Sequence, residues 1–464
     1  MLTMSTMLMK LTWARWLTAQ QPGDQAINTL VLIDRESDMI TPMLTQLTYG
    51  GMLDDMFGIK DGVANIPGKL VPGKHQYTAE AHLEHRVPLN PSDPVFVSVR
   101  DLPLAAAEPA LKRSLYAGES SSANTSGFGG GDQNDFFSGE EYRRESDVSV
   151  NASQQPATPA AEQRIKLHTA LVQHLLHTHT QHATFIRQVQ VEHALIQGSI
   201  SYEEAMEFID EMLYRRQPFA RVIRFLSLVS GLCGGLRRFS HYKRELLQVY
   251  GFEYLFSLEN LEKGGLLKGN NNTASVTSFV GAGRNLASKA ASVAGITATK
   301  ATDSHWDTVV RALDIVPVFT DDKREDSTFV DAGLSDIFGG IVPVTVRLVQ
   351  KALFPPNDGW LSLEGTLKDV PGGPLFEAYQ PTGRENDDRR VKNVLVMFVG
   401  GITLPEIAGV RFLAKHYNDN RRAGSAELRL LIGTSRIAGG DTLIHDLADV
   451  QKNMIKDFQL NLGK

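Results

Sequence analysis

Asp34, Asp38, Asp54 and Asp55 are the first residues whose type and spacing could do chemistry. Asp34 and Asp38 follow an apolar run, LVLI at 30–33, that reads as a buried parallel strand, and ligands collect beyond the carboxyl ends of such strands. Acid–base or metal chemistry would also need a base, a nucleophile or further ligands. The neighbouring sequence supplies none, so Asp34 is read as capping the local turn or pairing with Arg35. Five histidines, His168, His174, His177, His179 and His182, crowd one segment. The i,i+3 pairs 174/177 and 179/182 share a helix face, but zinc would want further ligands of fixed geometry. A solvated helix face rich in Thr, Gln and His is the preferred reading. SVTSFVGAGRNLASKAA at 275–291 imitates a dinucleotide loop, yet Leu286 stands where the third glycine belongs and Asp303 does not end a strand. Its lysines, Lys289 and Lys300, could mark a membrane patch, but the apolar residues there are mostly alanine. Gly400-Gly401 could cradle phosphate at a helix N-terminus, but Pro405 and Glu406 fill that first turn. There is no GxxxxGK[ST], HExxH or GxSxG motif. The reading is therefore non-enzymatic, with no catalytic, cofactor-binding or metal-binding residue assigned.

Bulk properties narrow the class further. A chain of 464 residues with 42% hydrophobic content can bury a sizeable core. A net charge of −6 gives no basic excess for nucleic acid or an anionic membrane. The single cysteine, Cys233, excludes an intrachain disulfide and a cysteine-based zinc site, and fits a reducing, cytoplasmic compartment. The first twenty residues are apolar, carry only Lys10 and Arg15, and read as an amphipathic helix of a fold whose beginning is cut off, rather than as a transit or signal peptide. No run of eighteen apolar residues occurs, so membrane contact is expected to be peripheral.

Strand 30–33 is followed by Thr41-Pro42, a helix start with proline in the first turn. Residues 59–95, rich in Gly, Pro and Lys, read as loop, and VFVSVRDL at 95–102 as a short extended piece or a helix start. The insert 117–161 lacks the apolar residues that would offset its ordering entropy, and disorder is expected there. Residues 162–250 are helical by three- and four-residue spacing, with a capping box at Ser201/Glu204. A second low-complexity stretch covers 268–303, and 304–390 is mixed. VLVMFV at 394–399 reads as a strand, Thr403/Glu406 as a second capping box, LRLLIGTS at 428–435 as another strand, and 441–456 as a final helix. The fold class is α/β with a large, mostly helical insertion: a fragment of parallel sheet at each end of the chain, with the insertion between them.

LVLIDRESDMITPMLTQLTYGGMLDDMFGI at 30–59 resembles the signature of the SM (Sec/Munc) family, through Asp34, Arg35, Asp38, Thr41 and Pro42. TQLTY at 45–49 is similar to that family's vacuolar protein sorting-associated protein 33 branch. HYKRELLQVYGFEYLFSLENLEKGGLLK at 241–268, GGIVPVTVRLVQ at 339–350 and VLVMFVGGITLPEIAGVRFLAK at 394–415 match the branch in the same order. The last contributes Gly400, Gly401, Glu406 and Arg411. The resemblance implies an arch-shaped fold, lacking the family's N-terminal domain. The implied parts are 1–48 as the start of the α/β domain, 49–262 as a helical SNARE-facing subdomain, 263–390 as a second insertion subdomain and 391–464 as the return to the α/β domain. It also implies a non-enzymatic template for SNARE assembly. Its partners would be SNARE proteins and, within the HOPS or CORVET tethering complexes, vacuolar protein sorting-associated protein 16 and other subunits. It would sit on late endosome, vacuole or lysosome membranes only through that complex. Phe338, Ile341 and Arg347 are the candidates for docking the tethering subunit, and Lys243 and Arg244 for facing SNARE helices.

Overall fold

In the computed structural model the described residues are 27–72, 83–116, 159–180, 183–270, 305–317, 326–354, 370, 391–421 and 425–448. Along the chain they form β1 (Thr29–Asp34), α1 (Tyr49–Phe57), β2 (Val63–Pro67), β3 (Glu84–Pro88), α2 (Pro94–Val99), α3 (Leu104–Tyr116) and α4 (Pro159–Leu175). There follow α5 (Ala183–Gln197), α6 (Tyr202–Tyr214), α7 (Phe219–Leu232), α8 (Phe239–Tyr250), α9 (Leu255–Lys263) and α10 (His305–Ala312). The rest are α11 (Asp326–Phe338), α12 (Val344–Leu353), β4 (Val391–Val399), α13 (Leu404–Asp419), β5 (Glu427–Thr434) and helical turns over 440–448. Two compact units result: Met1–Leu44 with Val191–Ser335 and Gly339–Lys464, and Thr45–Gln190 with Asp336–Phe338.

The first unit holds the sheet. Strands β1, β4 and β5 are parallel with β4 central, Thr29 pairing with Val394 and Val391 with Glu427. The chain thus brings two segments far apart in sequence into one sheet, as the family resemblance implies. Ile33, Val394, Val396 and Phe398 are buried on one face, where α12 and α13 pack. The crossover helix α13 starts at a capping box: the Thr403 hydroxyl accepts from Glu406 N at 3.3 Å, and Glu406 accepts from Thr403 N at 2.8 Å. Its last turn is pinned to β5 by Asn418, which donates to the Leu428 carbonyl and accepts from Leu428 N, both at 2.9 Å.

Helix α7 runs through the interior of the same unit and is buried from Val222 to Ser230. Its Arg224 donates to the carbonyls of Leu44 (2.7 Å) and Met43 (3.3 Å) and pairs with Asp441 at 3.4 Å. These bonds satisfy carbonyls just past the 41–43 turn and tie α7 to the segment following β1. The helices of 202–263 are grouped with the sheet in the first unit, and Asp336–Phe338 with the second.

The second unit packs α1 to α4 on an antiparallel strand pair. Tyr49, Leu53, Ile66, Phe96, Leu111 and Leu171 form its core. Two sequence expectations are corrected here, and of the two readings left open at 95–102 the helix start is the one found. Residues 59–95 are not mere loop, because β2 and β3 pair from Val63↔Pro88 to Pro67↔Glu84. Ala64, Ile66, Val87 and Leu89 are buried in alternation, a two-residue period that the surrounding Gly, Pro and Lys obscure. The stretch at 95–102 is helical in its first half: the Asp93 carboxylate accepts from Val95 N and Phe96 N, and Pro94 occupies the first helical position. His168 is not on a solvated face but 0% exposed. The expected disorder at 117–161 lies outside the described residues except at its end, where α4 begins at Pro159. The stretch 268–303 lies outside them after Asn270, as do the first twenty residues. The mixed stretch 304–390 contains α10, α11 and α12.

Candidate partner interface and buried polar hub

The aspartates singled out for chemistry are all engaged in structure. Asp34 accepts from Glu36 N at 3.1 Å and caps the turn after β1, and Asp54 accepts from Ile59 N at 2.8 Å. Asp55 accepts from the Gln46 amide at 3.0 Å. Asp38 is 2% exposed and belongs to a hub with Arg35 and Glu406. Arg35 Nη1 meets Glu406 Oε2 at 2.8 Å. Asp38 Oδ1 accepts from Thr41 N at 2.8 Å, and its Oδ2 accepts from the Thr41 hydroxyl at 2.6 Å and from Val344 N at 3.1 Å. Glu406 Oε1 accepts from the Thr345 hydroxyl at 2.5 Å, while Oε2 serves the Thr403 capping box. Two carboxylates and one guanidinium thus join β1, the start of α12 and the start of α13. Pro42 and Thr41 are buried beside them in the 41–43 turn. Gly400 carries φ +95°, and a Cβ there would stand 2.7 Å from the Arg35 Cβ. Gly401, at φ +114°, would meet the Ala438 Cβ at the same distance. Arg411 is half-buried on α13.

The electrostatics of the hub are those of a closed structural network. Burial opposes the Arg35 charge, but Glu406 and Asp38 outweigh it and leave its pKa raised. Burial alone would raise Glu406 too, yet Arg35, Thr345 and Thr403 pull it below the usual carboxylate range. Asp38 goes the other way, raised by burial and by repulsion from Glu406 despite Arg35 and Thr41. The hub lies at the carboxyl ends of β1 and β4, the side of a parallel sheet on which nucleotides bind. Among the described residues no group of three or more His, Cys, Asp or Glu is placed to hold a metal ion, and no helix is long and apolar enough to cross a membrane.

A second buried network lies in the other unit. His168 Nε2 is 3.1 Å from Asp93 Oδ2 and its Nδ1 is 2.8 Å from the Tyr49 hydroxyl. Burial raises the Asp93 pKa, but the His168 hydrogen bond and the amides of Phe96 and Val95 lower it overall. Asp93 therefore stays a carboxylate and can only accept, so Nε2 carries the proton. Burial pushes the Tyr49 hydroxyl well above its usual value, so it stays protonated and shares its hydrogen bond with His168 Nδ1. His174 is half-buried and stacks on Phe57 with centroids 6.4 Å apart.

The expected docking residues divide by exposure. Phe338 and Ile341 are 8% and 3% exposed and serve as core. Arg347 is 3% exposed, paired with Asp331 and donating to the Asp314 carbonyl at 2.7 Å. A docking anchor has to reach a partner, and none of these side chains reaches the surface. Lys243 pairs with Glu262 on α9 and sits 5.0 Å above the Phe239 ring. Arg244, next to it on α8, is exposed.

Beyond the end of α8 the surface changes. Gly251, at φ +109°, turns the chain into a 3-10 turn, Phe252–Tyr254, and then α9. The Phe219 ring lies 5.4 Å from Tyr250 and 4.2 Å from Tyr254, and the Tyr250 hydroxyl donates to the Gln217 carbonyl. With those rings fixed, Phe252 and Phe256 stand 71% and 51% exposed. Tyr214, at the end of α6, is 90% exposed. Single exposed hydrophobics need no explanation, but two exposed phenylalanines, four residues apart and beside a cluster of packed aromatic rings, have the composition of a binding surface. Sequence reading missed them because Phe252, Leu255 and Phe256 look like one apolar helical face. Only Gly251, a break within the run, hints otherwise.

A model of the Sec1 family matches residues 8–446. The chain is 28% identical over 436 residues to the vacuolar protein-sorting-associated protein 33 homolog of Arabidopsis thaliana, covering 91% of this chain and 62% of that protein. It is also 28% identical over 425 residues to vacuolar protein sorting-associated protein 33A of Rattus norvegicus, covering 88% and 61%. The chain thus spans about three fifths of the length of these relatives. Among solved structures, the Unc18–syntaxin 1 complex from Monosiga brevicollis is similar at TM-score 0.49 and 14% identity, over 95% of this chain and 63% of that one. The SM protein Vps45 in complex with the Qa SNARE Tlg2 is similar at TM-score 0.49 and 13% identity, over 95% and 63%.

Proposed function

The chain belongs to the Sec1 family, and from that membership we propose that it is a non-enzymatic regulator of SNARE-mediated membrane fusion. It would act within a HOPS- or CORVET-type tether, in transport to the late endosome, vacuole or lysosome. The relatives named for vacuolar protein sorting support the route. The hub at the carboxyl ends of β1 and β4 supports a scaffold over a nucleotide-binding enzyme. The mechanism is templating: a rigid surface holds SNARE helices in register and lowers the ordering cost of nucleating their bundle.

The tethering subunit, a homologue of vacuolar protein sorting-associated protein 16, would dock on the Phe252/Phe256 face. This replaces Phe338, Ile341 and Arg347, which are interior. Arg244 remains the exposed candidate for SNARE contact and Lys243 the half-buried one. The observation that carries the docking face is the exposure of Phe252 on the turn and Phe256 in the first turn of α9, beside the packed rings of Phe219, Tyr250 and Tyr254. Rigid aromatics lose little entropy on binding and make strong anchors.

The test is capture of the C-terminal helical region of that partner from the same organism. The variants are Phe252→Asp with Phe256→Asp, and Phe338→Asp with Ile341→Asp. Wild-type capture should weaken about 30-fold or more in the first double variant, the equivalent of about 2 kcal/mol at a hot spot, with its melting unchanged. Undiminished capture by that variant would remove the face from consideration. The second double variant should lose stability, because it places charge in the core.

A further inference from the structure

The end of α4 has a feature that partner docking leaves unused. His168 is engaged by Asp93 and Tyr49, but past Leu175 the helix widens into a π-turn, Leu176–Thr180. Such turns are rare and gather at functional sites. This one carries His177 and Thr178, just beyond His174. The His174 ring stacks on Phe57, with centroids 6.4 Å apart and planes at 26°. The Thr178 hydroxyl lies 3.4 Å from His174 Nδ1, which leaves Nε2 as the nitrogen to meet a ligand. α4 also packs on the 3-10 turn Gly68–Leu70, whose middle residue is Lys69. Lys69 and His177 are exposed and His174 half-buried. Burial, then the charges of Lys69 and His177, hold the His174 pKa below its ordinary value. Among the described residues no carboxylate pairs with Lys69, His174 or His177. Asp54 and Asp55 on α1 are bound to the Ile59 amide and to Gln46, and Glu108 on α3 to Lys112. In a chain with 53 acidic side chains against 47 basic ones, a lysine beside two histidines with no carboxylate is an uncompensated cluster.

We propose that Lys69, His174, His177 and Thr178 form a binding site for a phosphate monoester group. The donor set chooses the ligand. A metal ion is repelled by the Lys69 ammonium, and among the described residues no third His, Cys, Asp or Glu joins the histidine pair. An anion instead relieves the repulsion between the three cationic groups. A phosphate monoester brings about two negative charges and three acceptor oxygens. Lysine serves phosphate as a point charge, and charged imidazoles add charge-assisted hydrogen bonds. Once His174 is charged, its Nδ1–H donates to Thr178, which frees the Thr178 hydroxyl proton for a phosphate oxygen. The stack on Phe57 holds the His174 ring in place for this. The same chemistry recognises the phosphate of a small soluble molecule or of a lipid headgroup.

The first probe is inorganic phosphate, titrated with the full chain and followed by the width of its phosphorus NMR line. Lys69→Gln with His177→Gln changes two exposed side chains, so the melting of the double variant should match the native chain. Its affinity for phosphate should fall about tenfold or more, the loss expected when hydrogen bonds to a charged group are removed. Lys166→Gln, which removes an exposed charge elsewhere on α4, should leave binding as it is. The second probe separates the sources: phosphatidylcholine vesicles in which about one lipid in ten is phosphatidic acid. Sedimentation of the native chain with them, lost in the double variant, assigns the site to a headgroup. Phosphate binding without sedimentation assigns it to a soluble phosphate. Equal phosphate binding by the native chain and the double variant would overturn the proposal, as would no binding to either probe by a cooperatively melting chain. So would zinc bound by the native chain, lost in His174→Gln with His177→Gln and undiminished in Lys69→Gln, because the pair would then be a metal site.

Discussion

Arg35 and Glu406, separated by most of the chain, meet at 2.8 Å and are 4% and 0% exposed. Removing one partner leaves a bare buried charge, so Glu406→Ala should destabilise by about 3–5 kcal/mol in urea unfolding. The double variant Arg35→Met, Glu406→Met should recover much of that loss, because a buried pair gains little over well-packed apolar groups. A double variant no more stable than Glu406→Ala would show the hub to be worth more than its ion pair. His168 poses the same question for a buried hydrogen-bonded triad. His168→Ala strands the Tyr49 hydroxyl and the Asp93 carboxylate in the core, at a cost of about 2–5 kcal/mol. His168→Gln, able to donate and accept, should recover part of it.

The helices of the first unit are capped from two sources, and this sets how much of the fold the sequence displays. α13 caps itself through Thr403 and Glu406, and α6 through Ser201 and Glu204. Both were legible as S/T-x-x-E, because donor and acceptor lie within four residues. α12 has no side-chain cap of its own. Its first amide is held by Asp38, 306 residues away, and no local pattern could reveal that. Asp38→Ala should therefore fray a helix it does not belong to. Hydrogen exchange at Val344 and Thr345 should speed up by an order of magnitude or more, corresponding to about 1.4 kcal/mol or more of local stability. Exchange in α6 should be unchanged. The interior position of Phe338 and Ile341 was hidden for the same reason: an apolar pair beside a Gly-Gly reads alike as anchor or as core. Exposure is a property of the packed molecule, and Phe252 and Phe256 show the converse.

For the molecule as a whole, the titratable groups mostly share one sign. His193 is 6% exposed, and burial lowers its pKa to about 4. In the unfolded chain it takes up a proton near pH 6.5, so between 6.5 and about 4 the unfolded state binds more protons and stability falls as pH falls. The full window is worth on the order of 3 kcal/mol. Asp93 and Glu406 are depressed carboxylates, whose contributions are present above their unfolded pKa and are lost only as pH drops through the folded values. Asp38 is raised, so its protonation favours the folded state and partly offsets Glu406. Acidification should thus weaken the fold in two stages, the first from His193 and the second, at lower pH, from the carboxylates. Urea midpoints taken from pH 7 to pH 4 should decline through the first stage in the native chain. In His193→Gln the decline above pH 5 should flatten while the later one persists. A profile unchanged by that substitution would show that His193 charges without strain and that the acid sensitivity lies with other groups, His174 and the carboxylates.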